Sequence, residues 1–136
     1  MGTVQVSAHW TGEGLDYIGH DTRGNDILMG GRDSSSPSPS QLMLIGLAGC
    51  TGMDVVSILQ KKRQQLTDVE VMVIAHQPDE YPKPYHKIQL HFIVKGQNLD
   101  PDAVERAIQL SHDKYCTVGQ TLQIPVEIKT SFKIEE

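Results

Sequence analysis

Apolar and polar residues alternate near the start of the chain. Val4, Val6, Ala8 and Trp10 interleave with Thr3, Gln5, Ser7 and His9, the period of two expected of a half-buried strand. Thr11-Gly12-Glu13-Gly14 is turn chemistry. Leu15, Tyr17 and Gly19 then predict a weaker second strand, and Asp21 to Asn25 turns into a third, Ile27-Leu28-Met29. Gly30 to Ser40 is rich in serine and proline. It reads as a loop feeding a helix and not as a domain linker, because about thirty upstream residues are too few for a core of their own. Ser38 at the N-cap, Pro39 at N1 and Gln41 at N3 make a capping box.

The helix so opened is predicted from Pro39 to about Gln64. Its first half (Leu42, Met43, Leu44, Ile45, Leu47, Ala48) is apolar on nearly every side, which predicts a central, buried helix. Gly46, Gly49 and Gly52 each weaken it by roughly 1 kcal/mol relative to Ala, so another backbone is expected close by. From Asp54 onward it is amphipathic, and Lys61-Lys62-Arg63 suits a helix C-terminus. Two strands follow, Val69 to His76 and a second carrying Ile88, Leu90, Phe92 and Val94. The three prolines of Gln77 to Pro84 make their connector a stiff loop and not a tight turn. Asp100 caps a second helix with Pro101 at N1 and Val104, Ala107, Ile108 and Ser111 on its inner face. That helix leads to Cys116 and a short further helix. A last strand is expected to turn Ile124, Val126, Ile128, Phe132 and Ile134 inward. The order βββ-α-ββ-α-β places residues 1–136 in the α+β class as one domain.

Charge narrows the partners. Twelve Lys+Arg against seventeen Asp+Glu give a net charge of -5, and Lys61-Lys62-Arg63 is the one basic cluster, so no nucleic-acid partner is expected. The apolar run Leu42 to Met53 stops at Asp54, short of the ~20 residues that span a bilayer, and no membrane partner is expected. The N-terminus has neither a basic n-region nor an apolar h-region, which predicts a cytoplasmic protein. Two cysteines in 136 residues do not make a disulfide scaffold.

Those two thiols are the candidate chemistry. Cys50 sits mid-helix in Ala48-Gly49-Cys50-Thr51-Gly52. It is either a small buried hydrophobe or a nucleophile whose small neighbours leave room for a substrate. A nucleophile needs thiolate, hence a pKa below ~8.5. The helix dipole gives little help so far from the N-terminus, and Asp54 would push the pKa upward if it faced the sulfur. A cation from elsewhere is required, with Arg32 in the preceding loop, or Arg23, as the source. Cys116, in Lys114-Tyr115-Cys116-Thr117-Val118, is either a packed thiol at a helix junction or a thiolate favoured by the amides of the next helix. His112 and Cys116 alone fall short of the three or four ligands zinc needs, so no metal is expected. The six histidines form no ligand motif, and neither a phosphate-binding glycine loop nor a serine nucleophile elbow is present.

The segment Ser38-Pro39-Ser40-Gln41-Leu42-Met43-Leu44-Ile45-Gly46-Leu47-Ala48-Gly49-Cys50 resembles the Cys-bearing helix of the OsmC/Ohr family, the osmotically inducible and organic-hydroperoxide-resistance proteins. Leu110 to Val118 is similar to the second Cys motif of its OsmC-like branch, Lys-Tyr-Cys-Ser-Val. With the element order, the resemblance covers nearly the whole chain. It implies an intertwined homodimer with central Cys helices and active sites at the subunit interface. The partner would then complete the core of a chain with only 5% aromatic residues. It also implies a reaction. Cys50 attacks an organic hydroperoxide, Cys116 resolves the sulfenic acid as a disulfide, and an external dithiol restores both without any bound cofactor. Arg32 would stabilise the thiolate. One departure stands out: the peroxidase branch has an acidic residue ten positions before the Cys, where this chain has Ser40, followed by Gln41. The alternatives are a non-peroxidase dimer that binds a small apolar ligand or senses redox state, and a protein whose thiols are purely structural.

Overall fold

A computed structural model describes residues 2–135. The elements in chain order are β1 (Ser7–Trp10), β2 (Tyr17–His20), β3 (Asp26–Met29), α1 (Pro39–Lys61), β4 (Gln65–His76), β5 (Lys87–Gln97), α2 (Pro101–Leu110), a π-helical turn (Ser111–Tyr115) and α3 (Thr117–Leu122). The chain divides into two compact units, Met1–Ile45 and Gly46–Glu136, with the division inside α1.

In the first unit β1, β2 and β3 form an antiparallel meander. The ladder runs from Ser7 opposite His20 to Trp10 opposite Tyr17. The expected first strand was longer, beginning near Val4. After His20 the chain turns, because the Asp21 carboxylate accepts the backbone N–H groups of Arg23 and Asn25 at 2.8 Å each, so β2 offers nothing for residues 3–6 to pair with. The Asn25 side-chain amide, which donates to Asp21 Oδ2 at 2.8 Å, and after it these backbone hydrogen bonds hold the Asp21 carboxyl below its ordinary pKa. Trp10, Ile27 and Leu28 remain 54%, 49% and 53% exposed.

At the start of α1 Ser38 Oγ accepts the Gln41 N–H at 3.3 Å, half of the expected capping box. The helix stops at Lys61, short of the expected Gln64. Arg63 adopts φ 58°, Arg63 N–H donates to Gln60 O, and Gln64 N–H donates to Leu59 O. That is a Schellman end with arginine where glycine is favoured. Because a side chain in left-handed backbone costs about 1–2 kcal/mol, offset by the greater chain entropy glycine loses on folding, Arg63→Gly should raise stability by about 0.5–1 kcal/mol. Urea unfolding should show this as a higher midpoint at unchanged slope.

The second unit explains which face of α1 is buried. β4 and β5 form an antiparallel pair with a one-residue irregularity between Leu66 and Asp68. It shifts the alternation so that Leu66 and then Val69, Val71, Val73 and Ala75 all lie on the less exposed face. Opposite them stand Val94, Phe92, Leu90 and Ile88. Val55 and Leu59 of α1 and Ala103 and Ala107 of α2 are the buried centre of this unit, flanked by Leu66, Val69, Phe92, Val94 and Ile108. Asp100 caps α2 as expected, accepting the Asp102 N–H at 3.0 Å.

Two expectations about burial are corrected. α1 is not buried on all sides: only Leu47, Thr51, Val55 and Leu59, at i, i+4 spacing, are buried, while Ile45 and Met53 are 59% and 74% exposed. A side chain at Gly46 or Gly49 would meet open space, and only Gly52 faces a close neighbour, Val71. One sheet covers one side of a helix, and nothing among the described residues of the second unit buries the other. The apolar run also extends further than its break at Asp54 suggested. With an 18-residue stretch of mean hydropathy 1.9, α1 is long and apolar enough to cross a membrane by length and composition. Its packed stripe and hydrogen-bonded Asp54 are the features of a core helix.

The expected last strand is absent among the described residues. The segment after α3 has no regular structure, and Ile124, Val126, Ile128, Phe132 and Ile134 are 56–89% exposed. The β4–β5 sheet has only two strands, so the segment joins neither edge.

Candidate redox site

The chain brings its two cysteines together. Cys50 lies on α1, partly exposed, and Cys116 is buried where the π-turn meets α3; both are free thiols. Cys116 reaches this place through an extra residue in the helical path. Its N–H donates to Ser111 O at 3.0 Å, the wide spacing of a π-turn, a feature frequent at functional sites. The turn breaks the face that His112 and Cys116 would share on a continuous helix: His112 is exposed and Cys116 only 2% exposed.

Cys116 caps α3, and its Sγ accepts the Gly119 N–H at 3.3 Å. That contact favours thiolate, as the sequence suggested, but it is outweighed. Burial pushes the thiol up from its ordinary value, and the adjacent Cys50 side chain raises it further, with a smaller contribution from the Asp54 charge. Cys116 therefore stays protonated at neutral pH.

A polar network that the two Cys motifs did not reveal underlies the pair. Thr51 Oγ1 and Ser111 Oγ are 2.8 Å apart, and Ser111 Oγ donates to Asp54 Oδ2 at 2.8 Å. It ties the turn of α1 that carries Cys50 to the residue whose carbonyl holds Cys116. Sequence signals for it existed: Thr51 interrupts the apolar i, i+4 stripe Leu47, Val55, Leu59, and Ser111 ends the inner face of α2. A polar residue in a buried stripe calls for a partner.

Arg32 and Arg23 are both exposed and belong to the Met1–Ile45 unit. No group of three or more metal-ligating side chains occurs among the described residues. Cys116 and Thr51 stand in the wall of a cavity of about 530 Å³ within the second unit.

Residues 31–131 match the family described as OsmC-like protein. Protein YhfA of Escherichia coli strain K12 is 41% identical over 132 residues, covering 96% of this chain and 98% of that one. A crystal structure of a hypothetical protein from Aquifex aeolicus VF5 superposes with a TM-score of 0.80 at 28% identity, over 90% of this chain and 89% of the other. The organic hydroperoxide resistance protein OhrB of Bacillus subtilis superposes with a TM-score of 0.57 at 19% identity, over 90% and 91%. That last similarity is one of fold.

Proposed function

Because the chain belongs to the OsmC-like protein family, we propose that its paired thiols reduce organic hydroperoxides. The observation that carries the reading is the adjacency of Cys50 and Cys116, two free thiols from separate helical elements, the first partly exposed and the second buried.

The asymmetry supports a division of roles. Cys50, the more accessible sulfur, attacks the terminal oxygen of the hydroperoxide as thiolate. The O–O bond breaks, the alkoxide leaves and takes a proton to become the alcohol, and Cys50 is left as sulfenic acid. Cys116 then displaces the sulfenic hydroxyl as water and the disulfide forms. An external dithiol reduces it by two exchange steps and is itself oxidised, so no bound cofactor is needed. Arg32 is the proposed cation for the Cys50 thiolate and the departing oxygen. Holding Cys116 as a thiol until it is needed suits a resolving group, which waits for the first sulfur to be oxidised.

The working protein in this reading is a cytoplasmic homodimer. What supports the dimer is apolar surface that one chain leaves uncovered: Ile45 and Met53 on α1, and the alternating Ile124, Val126, Ile128, Phe132 and Ile134. A second copy covering them would also complete a core that the single chain builds on one side of α1 only.

The test is turnover of cumene hydroperoxide and of hydrogen peroxide with dithiothreitol as reductant, followed by light scattering on the same sample. Catalytic loss of the organic peroxide by a particle of twice the chain mass is the expected result. No turnover of either peroxide would sink the reading.

A further inference from the structure

Asp54 follows Cys50 by four residues on α1, so the two side chains share a face one helical turn apart. Ser111 Oγ donates to Asp54 Oδ2 at 2.8 Å, while the Ser111 carbonyl accepts the Cys116 N–H at 3.0 Å. One residue thus holds the carboxylate with its side chain and the second cysteine with its backbone. Resting on the peroxide-reducing reading above, we propose that Asp54 is the positioning residue of the thiol pair: its carboxylate, pinned by Ser111 between α1 and the π-helical turn, acts through Cys116, holds it as a waiting thiol and slows closure of the disulfide.

The hydrogen bonds fix where the carboxylate points. A hydroxyl has one hydrogen to give, and Ser111 gives it to Asp54, so in the 2.8 Å contact between the two hydroxyls Thr51 is the donor. The chain of donors runs from Thr51 to Ser111 to Asp54. None of the salt bridges among the described residues includes Asp54, so no paired cation cancels its field. Tyr85, His86, Lys87 and His112 border the cavity that Cys116 shares, and Lys114 lies over the Tyr115 ring at 5.2 Å. Burial is the first cause that keeps Cys116 protonated; the side chains that add to it are Cys50 and then Asp54, both from α1, and the Gly119 N–H opposes them. The consequence is kinetic. Once Cys50 is sulfenic acid, the S–S bond forms as the S–O bond breaks, and the Cys116 proton leaves with the hydroxyl as water. A thiol beside a fixed negative charge gives up that proton less readily, so the sulfenic acid is long-lived.

The test has two arms on the full chain. The chain has two cysteines, so Cys116 is the sole thiol of Cys50→Ser, and its thiolate absorbance in the ultraviolet can be followed against pH without any peroxide. Adding Asp54→Asn, which keeps the size and an acceptor oxygen for Ser111, should move that titration to lower pH. Asp54→Ser serves if the asparagine variant does not fold. In the second arm, proteins with both cysteines receive one equivalent of cumene hydroperoxide. A phase whose rate depends on peroxide reports Cys50 oxidation, and a later phase that does not depend on it reports disulfide closure. Asp54→Asn should shift the pH profile of the later phase downward and speed it about 2-fold or more at neutral pH, less than the rise in thiolate because a more acidic thiol is a weaker nucleophile. Dimedone should then capture less sulfenic acid than in wild type. A thiol titration that stays in place or moves upward would overturn the proposal, and so would one that moves while the later phase keeps its profile. Wild-type protein that shows neither phase removes the peroxide reading, and the timing role with it, while the titration still reports separately whether Asp54 acts on Cys116.

Discussion

Cys50→Ser protein should consume cumene hydroperoxide no faster than the reductant alone, a loss on the order of 10³-fold or more, because the attacking sulfur is gone and a serine hydroxyl does not ionise in its place. Cys116→Ser should behave differently. One equivalent of peroxide should still be consumed quickly, and mass spectrometry should find one added oxygen on Cys50, trapped by dimedone. Sustained turnover should fall because no disulfide forms for the dithiol to reduce. The difference follows from the chemical state of the two thiols. Cys116 is buried and held protonated by burial, by Cys50 and by Asp54, so it makes a poor first nucleophile. Equal and total loss in both variants would contradict this division of labour. Full turnover in Cys50→Ser would reverse it.

Ser111→Ala should lower stability by about 2–3 kcal/mol. Ser111 is fully buried and its hydroxyl donates to the Asp54 carboxylate while meeting Thr51 Oγ1. Hydrogen bonds to charged groups are worth roughly 1.5–3 kcal/mol, and the removal strands two partners. Thr51→Val removes only a neutral end of the network and should cost about 1 kcal/mol. Because the three groups act together, the double variant should lose less than the sum of the singles. The Cys116 N–H is held by the Ser111 backbone carbonyl, which alanine keeps. Ser111→Ala should therefore retain peroxide turnover at temperatures where it is folded. Chemical denaturation read beside the peroxide assay separates the two effects.

The local signals in the sequence were good where they depended on neighbours a few residues apart. Ser38, Asp100 and the prolines behind them opened both long helices where expected, and the alternation of Ile88 to Val94 gave β5 its buried face. The misses share one cause. Val4 and Val6, the far side of α1 and the apolar residues from Ile124 to Ile134 carry apolar patterns that nothing among the described residues covers. A hydrophobic pattern says that a face wants burial, not what will bury it. The site was legible in the same measure. Both cysteines were singled out, and Asp54 was named as a group that would raise a nearby thiol. It acts on Cys116, sixty-two residues away in sequence, and no helix-periodicity argument about Cys50 could have found that. The π-turn was also out of reach, because Ser111 to Tyr115 contains no glycine or proline to announce an extra residue. The cavity is lined by α1, β5, α2, the π-helical turn and α3, and it exists only once those elements are assembled.

The most direct test of the account is the intact mass of the reduced protein before and after one equivalent of cumene hydroperoxide, with alkylation to count free thiols. The account predicts a loss of two hydrogens per chain, both thiols blocked, and a single Cys50–Cys116 disulfide on peptide mapping. An unchanged mass with two alkylatable thiols would contradict it.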